Sequence, residues 1–159
     1  MSLLGFVIRL GHDGPPVPGD AALAPLGPER AWILLLVLAV WAYDTGAYLV
    51  GRRFGRERFL AHISPSKTYA GLVGGVAATT VVVGLVLWGL GQAPWHAIVL
   101  GPLVALSAQA GDLAESMLKR SFKVKDSGNI LPGHGGLLDR LDSLLFNAPI
   151  LYYFARFYF

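Results

Sequence analysis

The feature that most constrains the fold is an apolar run, residues 69–90, that contains no charged side chain. A helix of about 20 apolar residues is long enough to cross the hydrocarbon core of a bilayer. Because lipid offers the backbone no hydrogen-bond partners, such a segment must be helical. The run therefore predicts an integral membrane protein rather than a soluble domain.

The rest of the chain agrees with this prediction. Of its 159 residues, 54% are hydrophobic and only 14% are charged, whereas soluble domains carry about 25% charged residues. Further apolar segments occupy residues 31–50, 97–118 and 144–159. We therefore expect an all-α fold, a polytopic membrane helix bundle with about four transmembrane helices. The sequence has no cysteine, which excludes disulfides and thiolate metal sites.

Basic residues predict the orientation of these helices. Most Lys and Arg side chains lie in residues 51–68 and 119–143, two loops separated by two predicted spans. Both loops therefore share one face, which the positive-inside rule makes cytoplasmic. Residues 1–30 are expected to form an extracytoplasmic segment, and residues 31–159 a membrane-embedded catalytic domain. The apolar run 3–10 is too short to span, and we favour the tail of a truncated span over a disordered or interfacial end.

Acidic side chains in or beside the spans are the first candidates for function. Asp44 lies inside the first span, where a carboxylate is costly unless it faces a partner or a polar cavity. Asp112, Glu115, Ser116 and Lys119 are spaced i, i+3, i+4 and i+7, so they share one helix face. A structural hydrogen bond to another helix would explain Asp44, and an ordinary solvated helix end would explain Glu115. Neither structural reason explains Asp112, which lies deeper in the predicted span.

A glycine-rich loop follows the third predicted span and is expected to be cytoplasmic. Residues 132–136, Pro-Gly-His-Gly-Gly, cannot form a regular helix and allow backbone N–H groups to approach a ligand. Asp139 and Asp142 follow at the start of the last helix, where the helix dipole alone would also favour carboxylates. Together with the clustered Lys and Arg residues, these acids suit phosphoryl or nucleotidyl transfer. Carboxylates bind Mg²⁺, and basic groups neutralise phosphates.

The chain resembles a known family in three segments. Residues 116–142 are similar to the diagnostic motif of phosphatidate cytidylyltransferases (CDP-diacylglycerol synthases), including K-D-S-G-N-I-L-P-G-H-G-G-L-L-D-R-L-D. Residues 44–47 (D-T-G-A) and 64–68 (S-P-S-K-T) agree with the family, whereas Ala70 stands where it usually has Glu or Gln. The resemblance covers residues 30–159 and corresponds to the C-terminal half of the longer family members. A truncated sequence and one part of a split enzyme are both compatible with it.

The resemblance implies an enzyme that transfers CMP from CTP to phosphatidic acid, giving CDP-diacylglycerol and pyrophosphate in phospholipid biosynthesis. It implies Mg²⁺ as the cofactor, with a second cation as an open alternative. The implied metal ligands are Asp112, Asp139, Asp142, Glu115 and Asp44. The implied catalytic residues are Asp112, Asp139, Lys119, Arg120 and His134. The implied substrate-binding residues are Lys67, Ser64, Ser116, Lys123, Gly133, Gly135, Gly136 and Arg140.

The expected setting is the bacterial inner membrane, with the active site on the cytoplasmic face, membrane lipids as partners and no nucleic acid. Gly71 and Gly75 form a GxxxG pair that suits close helix packing, either within the monomer or across a homodimer. Three alternatives stay open. They are a CTP-dependent polyprenol or phytol kinase, a transporter or ion-binding channel subunit, and an inactive C-terminal fragment of the transferase.

Overall fold

The computed structural model describes residues 2–58, 67–121 and 138–159. These ranges contain five α-helices: α1 (Leu3–His12), α2 (Gly27–Phe54), α3 (Tyr69–Gly89), α4 (Ala97–Ser121) and α5 (Leu138–Tyr158). The short 3-10 helices Ala24–Leu26 and Pro94–His96 precede α2 and α4. The described residues include no strand, only an isolated antiparallel bridge between Arg58 and Thr68. The predicted all-α fold is confirmed.

Within the described ranges, three helical segments are long and apolar enough to cross a membrane. They are Ala24–Phe54, Tyr69–Gly89 and Pro94–Leu118, with mean hydropathies of 1.9, 2.2 and 1.5. They coincide with the first three predicted spans. The fourth predicted span falls on α5, which is helical but carries charged residues near both ends and is not among the three. A fourth crossing therefore stays a prediction.

The N-terminal apolar run forms α1, which packs against the bundle. The backbone N–H of Gly5 donates to the Ser2 hydroxyl at 3.3 Å, which caps the start of the helix. Leu10 is fully buried, and the rings of Phe6 and Tyr152 lie 5.7 Å apart. The N-terminal run thus forms a helix that packs against α5, and whether it is the tail of a longer span stays a prediction.

The main core lies where α1, α5, the first halves of α2 and α4 and the second half of α3 meet. Its buried side chains include Trp32, Leu35, Leu87, Leu100 and Leu151. A second, smaller cluster of Tyr43, Ala105 and Ala108 lies farther along α2 and α4. The main core occupies one end of the bundle, and the polar side chains of the pocket described below lie toward the other end.

Glycines allow α2 and α3 to approach closely. A Cβ atom on Gly71 would lie 2.8 Å from the carbonyl oxygen of Ala47, and one on Gly75 would lie 2.6 Å from the Tyr43 ring. A Cβ atom does not lie this close to another heavy atom without displacement, so any larger residue at Gly71 or Gly75 would push the two helices apart. The GxxxG pair thus packs within the chain, as one of the two alternatives expected, and a homodimer stays a prediction.

Candidate active site

An ion pair joins Lys67, two residues before the start of α3, to Asp112 in the middle of α4. Lys67 Nζ lies 2.6 Å from Asp112 Oδ2, and the two side chains are only 20% and 32% exposed. Partial burial reduces solvent screening, so this pair is stronger than a fully exposed one. Two of the predicted site residues, 45 positions apart in the sequence, are therefore brought into direct contact.

A third segment reaches the same carboxylate from α5. The Ser143 hydroxyl donates to Asp112 Oδ1 at 3.0 Å, and Ser143 is buried. Since each oxygen of Asp112 accepts from a different segment, the carboxylate is fixed in orientation. Ser143 was not among the predicted site residues. Its position four residues after Asp139, on the same helix face, is the signal that could have suggested it.

Capping fixes the segment that carries Lys67. Thr68 is the N-cap of α3, and its hydroxyl accepts from the backbone N–H of Gly71 at 3.1 Å. The backbone N–H of Tyr69 donates to the carbonyl of Glu57 at 3.2 Å. These bonds hold the start of α3 against the chain that leaves α2, which places Lys67 beside α4.

A pocket of about 210 Å³, lined by both polar and apolar side chains, contains the ion pair. It opens between the C-terminal half of α2, the start of α3 and the C-terminal half of α4. Asp44, Lys67 and Asp112, all predicted site residues, line it. The remaining lining residues are Tyr43, Ala47, Tyr48, Thr68, Gly71, Leu72 and Gln109. Asp44 thus lines a cavity, one of the two settings expected for a carboxylate in an apolar span, and its role stays a prediction.

A buried hydrogen bond crosses the pocket wall. The Tyr43 hydroxyl donates to Gln109 Oε1 at 2.5 Å and links α2 to α4. Neither residue was predicted to belong to the site. Gln109 lies one helical turn before Asp112 and Tyr43 directly precedes Asp44. A polar side chain in an apolar span next to a candidate acid is the signal that could have identified both.

Several predicted site residues lie outside the described structure. Ser64, Lys123, Gly133, His134, Gly135 and Gly136 lie outside the described residues. The backbones of six others belong to α4 or α5, but their side chains are not described: Glu115, Lys119, Arg120, Asp139, Arg140 and Asp142. Ser116 lies in α4, one turn beyond Asp112, and is partly buried. The roles assigned to these residues stay predictions.

Asp44 and Asp112 are the two described carboxylates that line the pocket. Among the side chains that the structure describes, no group of three or more His, Cys, Asp or Glu residues could hold a metal ion. Mg²⁺ commonly takes only one or two carboxylates from the protein and completes its shell with water and substrate phosphates. The hard oxygen donors of this pocket fit such an ion.

The chain is similar to known proteins over most of its length. The profile of the cytidylyltransferase family matches residues 23–158, which include every described pocket residue. The phosphatidate cytidylyltransferase of Synechocystis sp. is 42% identical over 160 residues, covering 86% of this chain and 54% of that relative. That of Staphylococcus saprophyticus is 45% identical over 122 residues, covering 76% of this chain and 47% of the relative.

The phosphatidate cytidylyltransferase of Bacillus subtilis is 42% identical over 125 residues, covering 77% of this chain and 46% of the relative. The chain therefore spans about half the length of the curated relatives it matches. The family match, however, extends from the start of α2 through α5. The resemblance seen in the sequence motifs is confirmed, and the chain belongs to the cytidylyltransferase family.

Proposed function

We propose that this chain carries the site of a phosphatidate cytidylyltransferase, which joins CTP to phosphatidic acid and releases pyrophosphate. The phosphate of phosphatidic acid attacks the α-phosphorus of CTP, and the bond between the α-phosphorus and the bridging oxygen breaks. One observation carries the proposal. Lys67, Asp112 and Ser143 converge from three separate segments, and Lys67 and Asp112 line a pocket beside membrane-length helices. The names of the curated relatives support the same reaction.

The chief task of such a site is to bring two anions into contact. Lys67 supplies a positive charge to phosphate oxygens, and the bond from Ser143 keeps the Asp112 carboxylate in one orientation. Fixed charges of this kind stabilise a transition state without reorganising during the reaction. Positioning of the reacting groups adds to the effect. The pocket volume of about 210 Å³ suits phosphate groups, so the cytosine and the acyl chains would lie outside it.

Magnesium is the proposed cofactor. Asp112 and Asp44 would hold it, and Asp139, Asp142 and Glu115 are further candidates. When bound, the cation offsets the negative charge of the CTP phosphates and of the departing pyrophosphate. A second cation at the same site is also proposed, since five carboxylates exceed the needs of one ion.

The proposed location of the pocket is the cytoplasmic boundary of the bacterial inner membrane. CTP would arrive from water and phosphatidic acid from the adjacent leaflet. The arginines at and after the end of α2 support this arrangement, since they are exposed at the end of the bundle where the pocket opens: Arg52, Arg53, Arg56 and Arg58. Basic side chains beside a membrane attract anionic lipid headgroups. Arg52 also donates to the hydroxyl of Tyr48, a pocket residue, at 3.1 Å.

The reaction products test the proposal. The purified chain in lipid nanodiscs is incubated with labelled CTP, phosphatidic acid and Mg²⁺, both alone and joined to the upstream half of the Synechocystis relative. CDP-diacylglycerol with pyrophosphate is the expected result. CDP with a phosphorylated lipid alcohol, when a polyprenol is supplied, would identify a kinase instead. Turnover by the joined protein alone would make this chain an inactive fragment, and no turnover by either would refute the proposal.

A further inference from the structure

We infer that Gln109 is a phosphate-binding residue of this pocket and that Tyr43 holds its amide in the binding orientation. The inference deepens the proposed function and rests on it, since it concerns the same pocket. The amide N–H groups of Gln109 would donate to a phosphate oxygen. That oxygen belongs either to CTP or to the lipid headgroup, both of which present the same acceptor chemistry.

The first observation is an amide with unused donors. Gln109 is only 7% exposed, yet it lines the pocket together with Lys67 and Asp112. Within the described part of the chain, Gln109 Nε2 is buried and has no hydrogen-bond partner. Leaving a buried amide donor unsatisfied is unfavourable, so such a group in a ligand pocket indicates a partner that arrives with the ligand.

The second observation is the orientation of that amide. The Tyr43 hydroxyl donates to Oε1 of Gln109, so the oxygen is engaged by α2, while the amino group has no partner among the described residues. Tyr43 is itself buried, and the α2–α3 glycine contacts fix its ring against Gly75. The amide is therefore held in place before any ligand binds, which lowers the entropic cost of binding.

The position of Gln109 gives the amide a defined place in the site. It lies one turn before Asp112 on α4, and Asp112 contacts Lys67. A phosphate bound at Lys67 would therefore have a cation on one side and a neutral N–H donor on the other. Hydrogen bonds to a charged acceptor are roughly twice as strong as those between neutral groups. The neutral donor adds affinity without adding a second positive charge beside Asp112.

A structural role alone would need only the oxygen of Gln109, as a link between α2 and α4. The two roles are separated by variants that keep the size of the side chain. Gln109→Met removes both donors at similar length, and Gln109→Glu keeps an oxygen for Tyr43 but replaces the donors. Ser107→Ala is the matched control, because it removes another α4 contact, a 3.3 Å bond to the carbonyl of Phe146, outside the pocket lining.

Binding of CTP and of short-chain phosphatidic acid is measured separately on the whole chain in nanodiscs, with thermal unfolding of each variant. Both Gln109 variants are expected to raise the Kd of one probe by about tenfold or more. Tyr43→Phe should raise the same Kd by a smaller factor, and Ser107→Ala should leave both unchanged. The probe that weakens identifies whose phosphate the amide contacts.

Several outcomes would overturn the inference. Unchanged Kd values for both probes in folded Gln109 variants would leave the residue only a structural role. Loss of the fold in both variants would lead to the same conclusion, as would a parent chain that binds neither probe. If the parent chain binds a probe through Gln109 but neither it nor the joined protein forms CDP-diacylglycerol, the transferase proposal is refuted and this inference stands.

Discussion

Lys67 and Asp112 are joined by a 2.6 Å contact between Nζ and Oδ2, although 45 residues separate them. Lys67 lies just before the start of α3 and Asp112 within α4, so the contact links the N-terminal end of α3 to the side of α4. The same carboxylate accepts from Ser143 of α5. Asp112 is therefore the point at which three segments of the chain meet, and most of the predictions below concern it.

Asp112→Asn should lower turnover by about a hundredfold or more, because the proposed cation loses a charged ligand in a site that depends on fixed charge. The isosteric amide keeps an acceptor for Ser143, so the fold should survive. The pair with Lys67 is partly exposed, and its loss should cost about 1 kcal/mol or less of unfolding free energy. Turnover and thermal unfolding are measured in whichever form of the protein is active. Near-normal turnover would remove Asp112 from the metal site.

Lys67→Gln should raise the KM of at least one phosphate-bearing substrate by about tenfold or more, since a hydrogen bond to a charged group is lost. Steady-state kinetics with CTP and with phosphatidic acid measure the change separately. Arg30→Gln provides the control, because Arg30 is an exposed basic residue at the opposite end of α2. An equal rise in KM for both substitutions would mean that Lys67 acts only through the net charge of the protein and not through contact with a phosphate.

Ser143→Ala should reduce turnover about three- to tenfold, because one hydrogen bond that orients Asp112 contributes roughly 1 kcal/mol. Rate measurements on Ser143→Thr, which keeps the hydroxyl, should show partial recovery. The matched control is Ser121→Ala, since the Ser121 hydroxyl donates to the carbonyl of Met117 in its own helix. Full activity of Ser143→Ala would show that Asp112 needs no orienting bond.

Gly75→Ala should destabilise the protein by about 1–3 kcal/mol, because the added Cβ would overlap the Tyr43 ring. Gly84→Ala in the same helix is the control, since its Cβ would meet Ala97 at an ordinary distance of 3.4 Å. There, alanine should be neutral or stabilise by up to about 1 kcal/mol through its helix preference. Unfolding in detergent measures both substitutions, and equal effects would contradict the tight α2–α3 contact.

Removal of divalent cations with a chelator should abolish turnover, and Mg²⁺ should restore it in a saturable way. The dependence is measured by titrating Mg²⁺ into the depleted parent protein and into Asp44→Asn. Asp44 lines the pocket, so its substitution should shift the required Mg²⁺ concentration upward. Full activity in the presence of chelator would exclude the proposed cofactor.

The helices could be predicted closely from the sequence because hydropathy determines them directly. The run 69–90 contains no charge, and α3 spans Tyr69–Gly89. Helix α2 extends beyond the predicted 31–50 at both ends, from Gly27 to Phe54. Pro28 is favourable in its first turn. At the other end, Arg52 and Arg53 are exposed, so the helix can include them without burying their charged groups.

The uncharged side chains of the candidate site could not be predicted from hydropathy in the same way. Asp44 and Asp112 stood out because charge is rare in apolar segments, and Lys67 was indicated by the family resemblance of residues 64–68. Tyr43, Gln109 and Ser143 are uncharged, and their importance depends on which helix faces meet. That depends in turn on the close α2–α3 contact and on the placement of α5, neither of which the spacing of polar residues reveals.

The backbone contact between α2 and α3 has a consequence for how the pocket could change size. Where Gly71 lies against the Ala47 carbonyl, no side chain separates the two helices, so no rotamer change can alter their spacing. The two helices should therefore move as one rigid hairpin. Any widening that admits a bulky lipid should come from displacement of α4, which contributes Gln109 and Asp112 to the pocket wall.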